Sequence, residues 1–337
     1  MAMNIKRRRR SPLGSALRVI AVLIAALAVA YAVLMIAIPA FETVDKTLKE
    51  GSADWMRGLD DSLPISEAIL PGTHDSAASE VRLAFFSKCQ ALSIGDQLNA
   101  GFRYLDVRIA ADGERLKLVH GFVDCKETAA PWSKPLYLDA VLEDCYAFLE
   151  AHPSEFVVFA VKKDHGDESI KIISGLLDAL IEKAPERWLL TDSIPTVGEA
   201  RGRLVLMRRW DNEAGADYSG IQFSWVDQSN REMTAVNTVE TNNGSYTLWV
   251  QDRFKYGTED KWTAFTRAFS EGRADGENVF LNFLSTNGTA KFGHPYQHAR
   301  TLNARFLGSD TALSGWIIVD FASSAMAEKI YSANFSK

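Results

Sequence analysis

The 337-residue chain is poor in the residues that build scaffolds other than a packed core. It has three cysteines, so at most one intramolecular disulfide can form, and neither a disulfide framework nor a Cys-rich zinc scaffold fits. Its ten prolines form no Pro-rich linker, and no fixed-period repeat or low-complexity tract divides it, which excludes fibrous and solenoid architectures. Positive charge is scarce outside the first 18 residues, where Lys6, Arg7, Arg8, Arg9, Arg10 and Arg18 stand without an acid. Beyond them, 31 basic residues face 43 acidic ones, a balance near −12 that argues against a nucleic-acid-binding body. With 47% hydrophobic and 24% charged residues, the fold stands on its own core.

What is present begins with an apolar run. Val19 to Ile38 reads VIAVLIAALAVAYAVLMIAI, without a charge, after KRRRR and directly before Pro39. At about 1.5 Å per residue such a helix matches a hydrocarbon core of roughly 30 Å. A buried core helix is seldom apolar on every side over this length. A cleaved signal peptide has a shorter apolar region and a small-x-small cleavage site, which does not stand out here. The expectation is an uncleaved signal anchor over 19–38, with residues 1–18 as a basic cytoplasmic segment and the rest of the chain extracytoplasmic by the positive-inside rule. Cleavage would make the protein secreted. In an oxidising compartment Cys89 and Cys125 are a candidate pair, whereas Cys145 falls in a helical pattern and is assigned to the core.

Residues 39–62 read as a helical connector, and 63–337 as one catalytic domain. Eight strand-like runs follow one another: 65–70, 102–110, 116–121, 156–163, 203–210, 246–254, 278–285 and 315–321. Amphipathic helices lie between several of them, including LDAVLEDCYAFLEAH and ESIKIISGLLDALIEK. Near-continuous β-branched and aromatic strands suit a parallel sheet buried on both faces. The predicted fold class is α/β, a (β/α)8 TIM-type barrel preceded by one transmembrane helix. The aperiodic stretch 211–245 is expected to form long loops.

Titratable residues gather at the carboxyl ends of seven of these runs: His74 and Asp75 after the first, Asp106 and Arg108 on the second, and His120 ending the third. Lys162 and Lys163, Arg208 and Arg209, Asp252, and Asp320 close four others. In a βα barrel that end carries the active site. Two histidines with carboxylates and cations are the components of phosphodiester cleavage by general acid–base catalysis. One imidazole takes the proton of an attacking hydroxyl, the other protonates the leaving oxygen, and a guanidinium offsets phosphate charge.

The blocks ILPGTHDSAA, GFRYLDVRI, LVHGF, HPSEFVVFAVKK, RGRLVLMRRW, VQDRFKY, STNGTAKFGHPYQHA and SGWIIVDF resemble, in order and spacing, those of bacterial phosphatidylinositol-specific phospholipase C, from about residue 52 to the end. The resemblance implies a distorted, incompletely closed TIM barrel, an inositol phospholipid substrate and a membrane as partner. It also implies cleavage to diacylglycerol and inositol 1,2-cyclic phosphate. By position, His74 corresponds to the general base, oriented by Asp320, and His120 to the general acid, assisted by Asp75. Arg108 corresponds to the phosphate-binding residue, with Asp106 beside it. Lys162, Arg209 and Asp252 match residues that contact inositol hydroxyls. Phe254 replaces the family's inositol-stacking tyrosine, keeping the aromatic face without the hydroxyl.

Related eukaryotic enzymes hold Ca²⁺ with an Asn after the first His and with carboxylates on the second and fourth strands. Asp75, Arg108 and Lys162 stand at three of those positions, and the two cations offer no ligand oxygen, so no metal and no cofactor are expected. Two rivals remain open: a metal-dependent glycerophosphodiester or sphingolipid phosphodiesterase, and a catalytically silent lipid- or glycan-binding barrel tethered to the membrane. His152, His165, His294 and His298 are assigned to surface or capping roles. Phe85, Phe86 and Phe292 are candidates for an apolar rim or for core.

Overall fold

A computed structural model describes residues 12–130, 132–210, 219–222, 224–229, 239–242, 244–290 and 293–336. The basic residues 6–10 and Phe292 lie outside them, as do 211–218 and 230–238 of the expected loop segment. The chain divides into two compact units, Met1–Glu42 and Thr43–Lys337.

The first unit carries an α-helix, Pro12–Ala32, continued by a π-helical turn, Val33–Ala37. The helical stretch Ser15–Phe41 is long and apolar enough to cross a membrane, with a mean hydropathy of 3.0 in its most apolar window. A membrane anchor and a signal sequence share this length and composition.

In the second unit twelve strands are found among the described residues. They are β1 (Leu70–Thr73), β2 (Tyr104–Asp112), β3 (Arg115–His120), β4 (Val123–Asp124), β5 (Val157–Lys163) and β6 (Trp188–Leu189). There follow β7 (Leu204–Arg208), β8 (Ile221–Gln222), β9 (Val239–Asn242), β10 (Thr247–Gln251), β11 (Asn278–Phe283) and β12 (Trp316–Val319). They join in one sheet of order β6-β7-β5-β2-β1-β12-β11-β10-β9. All neighbours on this path are parallel except β9 on β10. The sheet is a curled, open relative of the expected barrel, since β6 and β9 end the path unpaired with each other.

Three expectations are corrected. The first strand starts at Leu70, because 65–69 is a turn: the Ile65 amide donates to the Pro195 carbonyl and Glu67 N to Pro64 O. The run 116–121 is not a barrel strand. As β3 it returns antiparallel along the outer end of β2, pairing Ile109 with Leu118 and Asp112 with Arg115 around Gly113 (φ 63°). The segment 211–245 is not all loop, since β8 and β9 fall within it.

Alternation along the central strands sorts side chains between two apolar layers. Leu105, Val107, Val157, Phe159, Leu204 and Leu206 belong to the layer that includes the helix Leu138–Ala151. That helix buries Leu138, Val141, Leu142, Cys145, Phe148 and Leu149, the stripe expected from its 3.6-residue period. Tyr104, Val158, Ala160, Val205 and Met207 point the other way, into the barrel interior. Register then decides what stands above them. Arg108 pairs with Lys162, and the Arg209 amide donates to Val161 O, so three cations rise side by side from β2, β5 and the end of β7.

Part of the stretch expected as a connector is core. Ser52–Gly58 is a 3-10 helix that buries Trp55 and Met56, with Trp55 Nε1 donating to Gly101 O and the Met56 amide to the Glu155 carboxylate. Glu155 also takes Arg103 Nε at 2.9 Å, both side chains being wholly inaccessible. The Arg103 guanidinium donates in addition to the carbonyls of Leu98, Phe102, Ser52 and Ala53. Breaking such a pair strands a buried charge. Glu155→Gln should lower stability by about 3–5 kcal/mol. Denaturant unfolding of the full chain, followed by tryptophan fluorescence, measures it, and an unchanged midpoint would disprove the structural role of the pair.

Candidate active site

At the carboxyl end of the sheet lies a cavity of about 430 Å³. Eight of the ten residues expected in the site line it: His74, Arg108, His120, Lys162, Arg209, Asp252, Phe254 and Asp320. The other two, Asp75 and Asp106, are buried outside that lining.

β1 delivers the first histidine. The His74 amide continues the ladder by donating to Val319 O, which places His74 beside Asp320 one residue beyond the paired stretch. Its Nδ1 lies 2.8 Å from Asp320 Oδ1, and Arg108 Nη2 donates to its Nε2 at 2.7 Å. A guanidinium only donates, so Nε2 carries the lone pair and Nδ1 the proton that Asp320 accepts. This tautomer is the one a base requires. Burial alone would lower the His74 pKa, but the charge and hydrogen bond of Asp320, with the Asp106 charge, outweigh burial and the opposing Arg108, and the pKa is raised.

The second histidine arrives by a different route. The return of β3 brings His120 to within 6.4 Å of His74, measured between ring centroids, with the rings nearly perpendicular. His120 Nδ1 donates to Ser87 O at 2.8 Å and has Asp75 Oδ2 at 3.4 Å and Cys89 Sγ at 3.6 Å. No protein partner engages Nε2 among the described residues, so it remains available to the cavity that His120 lines.

Arg108 holds the carboxylates together. It lies 3.1 Å from Asp106, 3.6 Å from Asp75 and 3.5 Å from Asp164. Burial disfavours the charge on Asp106, but Arg108 and Arg209 together keep its pKa well below the usual range. Asp164 is likewise lowered: burial opposes its charge, while Arg108, Lys162 at 2.7 Å and the Gly121 amide favour it. Asp75 moves the opposite way. Its backbone is left-handed (φ 43°), neither carboxylate oxygen accepts a hydrogen bond among the described residues, and burial raises its pKa.

Two of the residues matched to inositol contacts, Arg209 and Asp252, meet at Trp225. Arg209 lies over the Trp225 ring at 3.9 Å, and Trp225 Nε1 donates to Asp252 Oδ2 at 3.2 Å. Asp164 and Trp225 are site residues that sequence reasoning missed. Asp164 directly follows Lys162-Lys163, and Trp225 sits among the residues read as loop.

The remaining histidines lie off the cavity lining. His152 is 3.0 Å from Asp54, His298 is 2.9 Å from Thr258 Oγ1, His294 stacks on Phe85 at 4.1 Å, and His165 is exposed. Phe85 and Phe86 are half-buried and pack edge to face. Cys89 and Cys125 do not pair: both are free, buried thiols, and Cys89 Sγ faces His120 instead. Two sets of possible metal donors share that thiol, His74–Cys89–Asp320 and Asp75–Cys89–His120, each with its atoms within 4.8 Å of one another.

No protein-family model matches the chain. A 1-phosphatidylinositol phosphodiesterase of Staphylococcus aureus strain Newman is 29% identical over 298 residues, covering 82% of this chain and 90% of its own. One from Listeria monocytogenes is 26% identical over 265 residues, covering 74% and 72%. Among solved structures, a mutant phosphatidylinositol-specific phospholipase C from Staphylococcus aureus superposes with a TM-score of 0.70 at 27% identity, covering 84% of this chain and 98% of its own. The Listeria monocytogenes enzyme gives 0.62 at 20% identity, a likeness of fold. In sequence and in fold, over most of its length, this chain is similar to the bacterial phosphatidylinositol-specific phospholipases C.

Proposed function

We propose that the protein is a phosphatidylinositol-specific phospholipase C that cleaves phosphatidylinositol, or a glycosylated relative, to diacylglycerol and inositol 1,2-cyclic phosphate. The observation that carries this reading is the pair His74 and His120, 6.4 Å apart with Arg108 bonded to the first. That separation leaves room for one phosphodiester between a base and an acid.

The phosphate takes Arg108 as its counterion, drawing the guanidinium away from His74 Nε2 and freeing the lone pair. His74 Nε2 removes the proton of the inositol 2-hydroxyl, and Asp320 stabilises the resulting imidazolium through Nδ1–H. The 2-oxygen bonds to phosphorus as the bond to the diacylglycerol oxygen breaks, and that oxygen takes a proton from His120 Nε2. Asp75 steadies the protonated His120 from the Nδ1 side. Asp106 and Asp164 fix Arg108, so the cation is preorganised for the developing charge. Lys162, Arg209 and Asp252 recognise ring hydroxyls, and the Phe254 ring supports the apolar face of the inositol. The role of a calcium ion in charge neutralisation falls to Arg108, whose guanidinium stands among the carboxylates that would otherwise be ligands.

Three outcomes test the division of roles and the absence of a metal requirement. Cleavage should persist in excess EDTA and yield the cyclic phosphate by phosphorus NMR; activity that requires added Ca²⁺ would refute it. His74→Ala and His120→Ala should each lower kcat by on the order of 10²–10⁴ with modest change in KM. A substrate with a better leaving group should recover much of the His120→Ala loss and little of the His74→Ala loss; equal recovery means the two roles are not divided this way.

The base works only when neutral, so the acidic limb of the kcat/KM profile follows the raised pKa of His74. Asp320→Asn removes the carboxylate that raises it. The limb should therefore move to lower pH while the plateau falls; a limb that stays in place would assign it to another group.

The helix over Val19–Ile38 serves as a membrane anchor that keeps the catalytic unit outside the cytoplasm, close to its lipid substrate. Its apolar length and the basic residues before it support this reading. Amino-terminal sequencing of membrane-extracted protein should find the anchor retained, and a mature chain starting after residue 38 would mean a cleaved signal.

A further inference from the structure

Cys89 is buried, borders the cavity and has no part in the reaction proposed above. Its Sγ lies 3.6 Å from His120 Nδ1, and that same nitrogen lies 3.4 Å from Asp75 Oδ2. Zinc bonds of about 2.0–2.3 Å to nitrogen, oxygen and sulfur imply tetrahedral edges of ~3.3–3.6 Å between ligand atoms. Both measured separations fall at that length, and the third atom pair is within 4.8 Å.

A second, independent observation is the state of Asp75. Its side chain is 1% exposed, yet neither carboxylate oxygen accepts a hydrogen bond among the described residues, and the nearest guanidinium atom, Arg108 Nη1, is 3.6 Å away. A buried carboxylate without hydrogen bonds is costly and stands ready for a cation. The other donor set is less suited. His74 Nδ1 and Asp320 Oδ1 are already bonded at 2.8 Å, shorter than a tetrahedral edge, so a metal there would have to break the pair apart.

We propose that Cys89, His120 and Asp75 form an inhibitory site for a soft or borderline divalent metal ion of the Zn²⁺ class, completed by a water from the cavity. Thiolate and imidazole donors select against Ca²⁺ and Mg²⁺. On binding, the Cys89 S–H bond breaks, its proton leaves to solvent, and an S–Zn bond forms. His120 loses its Nδ1 proton, gains one at Nε2 and coordinates through Nδ1, giving up its bond to Ser87 O; no group is oxidised. The Arg108 guanidinium beside Asp75 weakens the site, and the Asp106 and Asp164 carboxylates that bind Arg108 offset part of that repulsion. A ring coordinated at Nδ1 cannot become the doubly protonated acid, so the filled site silences His120. Only this last consequence rests on the function proposed above.

The test uses the full-length protein with Co²⁺ and Zn²⁺ salts alone as probes. Stoichiometric Co²⁺ should produce thiolate-to-cobalt charge-transfer absorption with tetrahedral d–d bands. The signal should vanish in Cys89→Ala and Cys89→Ser but persist in Cys125→Ala and Cys145→Ala. Zn²⁺ should lower wild-type cleavage roughly tenfold or more. EDTA should reverse that loss, and each Cys89 variant, compared with its own zinc-free rate, should lose most of the sensitivity. A missing thiolate–cobalt band in the wild type overturns the proposal without reference to any variant, as does a band or zinc sensitivity that survives loss of Cys89. A cobalt band in a protein that cleaves no inositol lipid supports the metal site and refutes the functional reading instead.

Discussion

The Arg108 guanidinium organises the site because three carboxylates, two of them fully buried, depend on it. Asp75, Asp106 and Asp164 come from a turn after β1, from β2 itself and from the end of β5, and Arg108 lies within 3.1–3.6 Å of all three. Remove the guanidinium and these negative charges face one another in a water-poor pocket. The arrangement also works in reverse. The carboxylates hold the Arg108 pKa well above its ordinary value against a burial that alone would lower it, so the cation remains charged in the cavity it lines.

Strand register makes this cluster possible. Asp106 and Arg108 are two residues apart and therefore share the inner face of β2, while Lys162 stands beside Arg108 on β5. One residue beyond the ladder between β1 and β12, His74 meets Asp320. A shift of one residue in any of these pairings would turn the charges outward into the helical layer. The apolar residues below, such as Val158, Ala160, Val205 and Met207, fix that register by filling the interior.

Much of this was legible in the sequence, for identifiable reasons. Charged residues closing apolar strands marked one end of the sheet as chemical, and the order of the blocks around His74, Arg108, His120 and Asp320 carried the family likeness. The direction of β3 was misread because a strand has the same two-residue period whether it runs parallel or antiparallel. Asp112-Gly113, a hairpin signal, stood at the turn and would have distinguished them. Asp164 escaped because an acid after Lys162-Lys163 reads as a solvated strand end; only the folded chain shows that it bonds Lys162 and faces Arg108. Trp225 escaped because its segment has no period, and its place is set by contacts with Arg209 and Asp252 from distant strands. The Cys89–Cys125 pairing failed for a related reason: burial beside His120 is a property of the fold, not of cysteine spacing.

Asp75 and Asp106 show how one residue type acquires two characters within one pocket. Both are buried and both border Arg108. Asp106 accepts from Arg108, from Arg209 and from the Asp75 amide, so its charge is better solvated by the protein than by water and its pKa falls. Asp75 has cations near it but accepts no hydrogen bond among the described residues, and burial wins. The difference follows from backbone conformation. The left-handed turn at Asp75 sends its amide toward Asp106 and leaves its carboxylate beside His120 and Cys89. Asp106 is thereby a fixed anion that orients Arg108, whereas ionised Asp75 lacks that hydrogen-bonded support, and in the proposed reaction a protonated His120 would supply it.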